Sequence, residues 1–308
     1  MKTRSLLLTG WLLFCLMFAF SQDAMSKKHD FIYKSINGHD IMATIYLPDS
    51  DKKVPVFIYY HGGGFIFGNR HQGLHSELID KLLANKIAVV SADYRLAPET
   101  KLKEILKDVS DMVKWIKIKG EGRFNIDTGK IAVGGASAGG YLAFTTGFNP
   151  QHSPDAIVAI SAPTGFSTAG IKAGDLSLLK NIKKDSIVSY GDYTTRMDLW
   201  RYLGKNGLAL YELFGFDPVK EPYKLKPYTL IDNVKTGYPP TLIVHAKKDW
   251  LVKLEDVDAF YKFLQNKKIE SELYLVENGH DSNLIDRHPE AIDKIITFLN
   301  KQFNKKKK

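Results

Sequence analysis

Apolar and polar positions alternate along this chain between two rhythms. Val54–Tyr60 (VPVFIYY) is a short unbroken apolar run, the pattern of a strand buried on both faces. Lys86–Tyr94, Ile131–Gly134, 155–161, Thr241–Ala246 and Glu272–Val276 repeat it. Ahead of them, 30–48 reads as two strands around a turn at Asn37–Asp40. The intervening segments follow the helical period. Leu102, Ile105, Leu106, Val109, Met112, Val113 and Ile116 share one face, with Gly120 expected to end that helix. Helices are also expected near Leu74–Leu83, over Gly140–Thr146, over Asp256–Gln265 and, amphipathic, over Pro289–Phe303. Strands alternating with helices predict the α/β class: a mostly parallel sheet, helices on both faces, and an antiparallel edge from the leading hairpin. The alternation stops over 167–237, which is too long for a structureless loop and is expected to form an inserted cap. Tyr190, Tyr193, Trp200 and Phe214 are its candidate pocket-lining aromatics.

Composition adds a leader to this picture. Lys2 and Arg4 precede an apolar stretch from Leu6 to Phe20, and Ala19 and Ser21 are the small residues of a cleavage site. Residues 1–21 are therefore expected to be a signal peptide, 22–308 the folded domain, and the protein exported. An uncleaved membrane anchor is the alternative. Cys15 is the only cysteine; bulky Phe14 beside it and the apolar run beyond it speak against lipid attachment. Cleavage would leave a chain with no cysteine nucleophile, thiolate metal site or disulfide. The net charge is +9, but it is scattered, and no nucleic-acid motif accompanies it. The tail KQFNKKKK reads as a solvated end or as a weak contact for anionic surfaces.

Chemistry concentrates in two glycine-rich turns. Gly135-Ala136-Ser137-Ala138-Gly139 lies between a strand and a helix, the setting in which G-x-S-x-G lifts a serine off the sheet. Ser137 needs a base. His152 follows the nucleophile helix too closely, His245 lies inside a strand, and His288 precedes the last helix. His280, in a loop after a strand, is the candidate. Asp249, just beyond the strand before it, is the candidate acid; Glu255, Asp256 and Asp258 fall on the following helix. Asp281 adjoins the histidine and is expected to point elsewhere. His61-Gly62-Gly63-Gly64 follows the first buried strand. Bare backbone there suits oxyanion donors, so the N–H groups of Gly63, Gly64 and Ala138 are the expected oxyanion hole. His61 and Gly62 are the expected support of that loop.

HGGGF, DYRLAPE (Asp93–Glu99) and GASAGG, with Asp249 and His280, resemble the hormone-sensitive-lipase family of α/β-hydrolase esterases from about Asp30 onward. The resemblance implies an α/β-hydrolase fold and a serine carboxylesterase that acts on short acyl esters beneath a cap, without metal or cofactor. Two positions depart from the family pattern. Ala136 stands where the family commonly has aspartate, and the N-terminal cap helices common in the family are expected to be reduced or absent. DYRLAPE itself reads as structural, with Arg95 and Glu99 as internal partners. The expected substrate is a small-molecule or polysaccharide-linked ester. A polysaccharide deacetylase or feruloyl esterase, a non-catalytic binding protein on the same fold, and a prolyl-oligopeptidase-like peptidase are the other readings. The last would need a large N-terminal domain.

Overall fold

The structure, a computed structural model, describes residues 27–166, 174–182, 184 and 187–305. The expected leader, the first residues of the insertion and the last three lysines lie outside them. Among the described residues, no helix is long and apolar enough to cross a membrane.

Eight strands form one sheet in the order β1-β2-β4-β3-β5-β6-β7-β8. They are β1 (Lys27–Ile36), β2 (His39–Leu47), β3 (Val54–Tyr60), β4 (Ala88–Ala92), β5 (Ile126–Ala136), β6 (Ala156–Ile160), β7 (Thr241–Lys248) and β8 (Ser271–Asn278). β1–β2 and β2–β4 are antiparallel, and every other pair is parallel. Asn37 and Gly38 make the hairpin turn with φ of 50° and 81°, the conformation that Asn-Gly favours. The chain builds from β3 to one side through β4, then returns past β3 to β5. Such a reversal opens a crevice at the carboxyl ends of the strands. Tyr60 pairs with Gly135 there, so β3 and β5 release their loops side by side.

The alternating faces of β3 explain the two cores. Val56, Ile58 and Tyr60 belong to one core shared with α2 (Leu102–Phe124), α3 (Ala138–Thr145) and α7 (Leu254–Asn266). Phe57 and Tyr59 belong to the other, shared with α1 (Ser76–Ala84) and α9 (Glu290–Phe303). Both faces of the strand are dry, which is why its sequence carries no polar alternation.

α2 runs past Gly120, contrary to expectation. Gly120 is buried, and a Cβ there would sit 3.4 Å from both Ile116 and Ile126, so it serves close helix–sheet approach. Asn125 ends the helix in the left-handed region, donating its N–H to the Glu121 carbonyl at 3.0 Å.

The break in the alternation lies between β6 and β7. Its described part holds a 3-10 turn (Leu176–Asn181), α4 (Tyr193–Lys205), α5 (Ala209–Phe214), a second 3-10 turn (Pro222–Tyr228) and α6 (Leu230–Asn233). A further short helix, α8 (Ser282–Arg287), follows β8. At the far end of the chain, Lys301 pairs with Glu270 and Glu272, and Lys305 pairs with Glu270.

Candidate active site

Ser137 sits at the turn from β5 into α3 with φ 50° and ψ −121°. A non-glycine residue in that region is strained by roughly 1–3 kcal/mol, and the surroundings must hold it there. Part of the hold is its own N–H, which donates to the Ile160 carbonyl on β6 at 2.9 Å. Gly139 supplies the rest of the tightness: a Cβ there would come 2.0 Å from the Tyr60 carbonyl oxygen.

His280 lies in the loop after β8, and its Nε2 is 3.0 Å from Ser137 Oγ. Its Nδ1 is 2.8 Å and 3.0 Å from the two oxygens of Asp249. An ionised carboxylate only accepts, so Nδ1 carries the proton and Nε2 is left to accept from the serine. Both side chains are buried. Asp249 is held in turn, because the N–H groups of Leu251 and Val252 donate to its Oδ1 at 2.8 Å and 2.9 Å. Burial works to raise the Asp249 pKa, but the bonds from His280 and these two amides outweigh it and keep it below the usual value. His245 is buried on β7 as expected, with Nε2 3.2 Å from the Val252 carbonyl, so it braces the Asp249 loop from beneath. Glu255 and Asp256 lie in the first turn of α7.

The loop after β3 folds back on itself, with the N–H groups of Ile66 and Phe67 both donating to the Gly63 carbonyl at 3.0 Å. Gly63 has φ of 102°, and a Cβ on it would lie 2.0 Å from the Phe67 carbonyl oxygen. Gly64, at φ 58°, faces Trp200, whose Nε1 would be 2.5 Å from an added Cβ. His61 stacks on Tyr94 at 4.3 Å, and its Nδ1–H donates to the Gly62 carbonyl at 2.8 Å. Tyr94 donates its hydroxyl to the His61 carbonyl at 2.9 Å. These contacts tie His61 to the loop that follows β3.

Burial pushes the His61 pKa from 6.5 down to about 4. The unfolded chain therefore binds a proton between those pH values that the folded chain refuses. Stability rises with pH across that window and is lost as pH falls through it. We expect wild type to lose on the order of 3 kcal/mol from this group between pH 7 and pH 4. Urea denaturation at both pH values checks this; a His61→Asn variant should show a correspondingly flatter dependence.

Gly63, Gly64, Ser137, Ala138 and His280 line one cavity of about 640 Å³. Asp249, His61 and Gly62 are not part of its lining. The insertion contributes Met197, Trp200, Ala209, Leu210 and Leu213 to the opposite wall. Of the four candidate cap aromatics, Trp200 alone lines the cavity. Phe214 is buried behind Phe166 at 4.9 Å, Tyr193 packs on Phe67, and Tyr190 is exposed. Tyr190 precedes α4, and Phe214 closes α5.

Several neighbours were not legible in advance. Asp281, at φ 57°, does not point away: it lines the cavity, and a Cβ on Gly62 would come 2.1 Å from its carboxylate. Its place next to His280 was the only signal. Trp250, 73% exposed, meets the His280 ring edge-on at 5.5 Å. Arg95 and Glu99 have internal partners, though not each other. Arg95 grips Asp108 at 2.7 Å and 2.9 Å, and Glu99 pairs with Arg196 of α4 at 2.7 Å. Ala136 is buried among apolar side chains of the α1/α9 core.

Known proteins carry the same framework. The chain is 30% identical over 277 residues to a probable carboxylesterase, M8, of a Phoma species, covering 78% of this chain and 84% of that protein. It is 25% identical over 287 residues to the non-reducing polyketide synthase atr1 of Stereocaulon alpinum, of whose length it spans 11%. Among solved structures, a truncated carbohydrate esterase from gut microbiota superposes with a TM-score of 0.71 at 19% identity, covering 92% of this chain and 99% of that one. An α/β-hydrolase superfamily protein from Enterococcus faecalis gives 0.69 at 21%, covering 90% and 99%. These neighbours share the α/β-hydrolase fold that the sheet order describes. The BD-FAE family model matches residues 43–264, from β2 through most of α7. On that match, and on the motifs that suggested a hormone-sensitive-lipase-like esterase, the chain belongs to the BD-FAE family of α/β-hydrolase esterases.

Proposed function

We propose that this protein hydrolyses carboxylic esters through an acyl-enzyme on Ser137. The observation that carries the reading is the continuous hydrogen-bonded line Asp249–His280–Ser137, open to a cavity with apolar walls. Ser137 Oγ attacks the ester carbonyl carbon while its proton passes to His280 Nε2. The bond to the alcohol oxygen then breaks, and His280 returns the proton to that oxygen. Water repeats the sequence on the acyl-enzyme, releasing the acid and restoring the serine. Asp249 fixes the imidazole tautomer and balances the imidazolium between steps. The N–H groups of Gly63, Gly64 and Ala138 receive the oxyanion, and α3 begins at the serine, so its positive end faces the developing charge.

The acyl group is short in this reading, as the resemblance to the hormone-sensitive-lipase family implies, and Phe166, Trp200 and Leu213 line the cavity together with the serine. The alcohol side leaves past exposed Trp250, which accommodates an ester on a small molecule or on a polysaccharide. Export rests on the pattern of residues 1–21. The test is fluorophosphonate labelling located by mass spectrometry, beside a panel of p-nitrophenyl acyl esters and acetylated xylan. Labelling at Ser137 with hydrolysis of the short esters is the expected result. A protein that takes up no label and turns over no ester is a binding protein on this fold.

A further inference from the structure

One face of α4 is devoted to the loop that follows β3. Tyr193, Arg196, Met197 and Trp200 stand at i, i+3, i+4 and i+7, a single helical stripe. Phe67 is held between Tyr193 at 5.5 Å and Trp200 at 5.7 Å, both edge-on. Trp200 also covers Gly64. Between these rings Arg196 reaches the backbone. Its Nε donates to the Ile66 carbonyl at 2.8 Å, and its Nη2 donates to the Ala97 carbonyl. The same guanidinium bonds both oxygens of Glu99, at 2.7 Å and 3.0 Å. The Ala97 N–H in turn donates to the Phe65 carbonyl at 2.8 Å. Arg196 is 7% exposed, and the Glu99 side chain is 1% exposed. Charges so placed persist only when paired and hydrogen-bonded, and a planar fork of donors can serve all four acceptors together.

A run of three glycines is the least self-determined backbone in the protein. Oxyanion donors work only if they are already in place when the charge appears. The constraint must therefore come from outside the loop. We infer that Arg196 is a positioning residue that sets the 63–67 loop, so that the insertion is part of the oxyanion machinery and not only a lid. The inference rests on the esterase reading above.

The experiment compares wild type, Ser137→Ala, Arg196→Lys and Arg196→Gln on p-nitrophenyl acetate and butyrate. Rates of the three serine-bearing proteins are normalised to sites titrated with a fluorophosphonate. Ser137→Ala judges the esterase reading by itself: if it remains active, that reading fails whatever Arg196 does. Arg196→Lys keeps a positive charge facing Glu99 and so protects the fold, but an ammonium cannot hold two carbonyls and both carboxylate oxygens. It is expected to lose about 10-fold or more in kcat per titrated site, since misplacement by an ångström can cost about 100-fold. KM should stay within about two-fold, because the lost contact acts in the transition state. The loss should be equal on both esters. A residue that merely supports folding would lower the number of titrated sites and leave kcat per site alone. Wild-type kcat per site in Arg196→Lys, or a loss confined to KM or to one ester, overturns the inference. Arg196→Gln should lose more; if it does not fold, Arg196→Lys decides alone.

Discussion

Ser137→Ala is expected to fall by about 10⁶ in kcat, the loss seen when a serine hydrolase of another fold is deprived of its nucleophile. The fold should survive, because the serine hydroxyl meets His280 and the cavity while the backbone N–H holds the turn. Alanine inherits the strain of φ 50° unchanged. Glycine does not, so Ser137→Gly should be equally inactive and at least as stable as wild type, against a strain of roughly 1–3 kcal/mol. Thermal melts with ester assays on both variants check the pair. Residual turnover at more than a trace in either would remove Ser137 from its proposed role.

Asp249→Asn is the second large effect. Asparagine keeps the shape but offers an N–H₂ or a carbonyl to His280 Nδ1, which can settle the wrong tautomer with Nε2 protonated toward the serine. It also removes the charge that balances the imidazolium. In a serine protease this exchange cost about 10⁴ in kcat. A comparable fall is expected here, with little change in melting temperature, since an amide oxygen can still accept from Leu251 and Val252. Asp256→Asn, in the first turn of α7, should stay near wild type, as such charges contribute only about 0.3–1 kcal/mol to stability. Measured kcat/KM for the two variants decides: the opposite ranking would move the acid to α7.

The middle of the sheet was legible because β3 to β7 are buried over most of their length and write their burial as apolar runs. Ser137, His280 and Asp249 were singled out by position, each in a loop just after a strand, and the structure brings these three within hydrogen-bonding distance. What was not legible depends on backbone sign or on distance in sequence. Asp281 turns toward Gly62 because its φ is positive, which no neighbour announces. Glu99 and Arg196 are 97 positions apart, so DYRLAPE showed a need for partners without naming them. Gly120 looked like a helix stop because glycine often is one; here it serves packing, and Asn125 takes the stop. The cap aromatics were chosen by residue type, and the structure puts Trp200 in the cavity wall and Phe214 against Phe166.

The order of strands also fixes a schedule. The serine and the glycine loop belong to the part of the sheet that ends with β6, whereas Asp249 and His280 arrive on β7 and β8, stacked one after the other at a single margin. A chain still being made, or one clipped within the insertion, holds Ser137 but lacks Asp249 and His280. In the proposed mechanism, turnover is expected only once β7 and β8 have joined the sheet. Under the proposed mechanism, the onset of ester cleavage is expected to report that this margin of the sheet is complete.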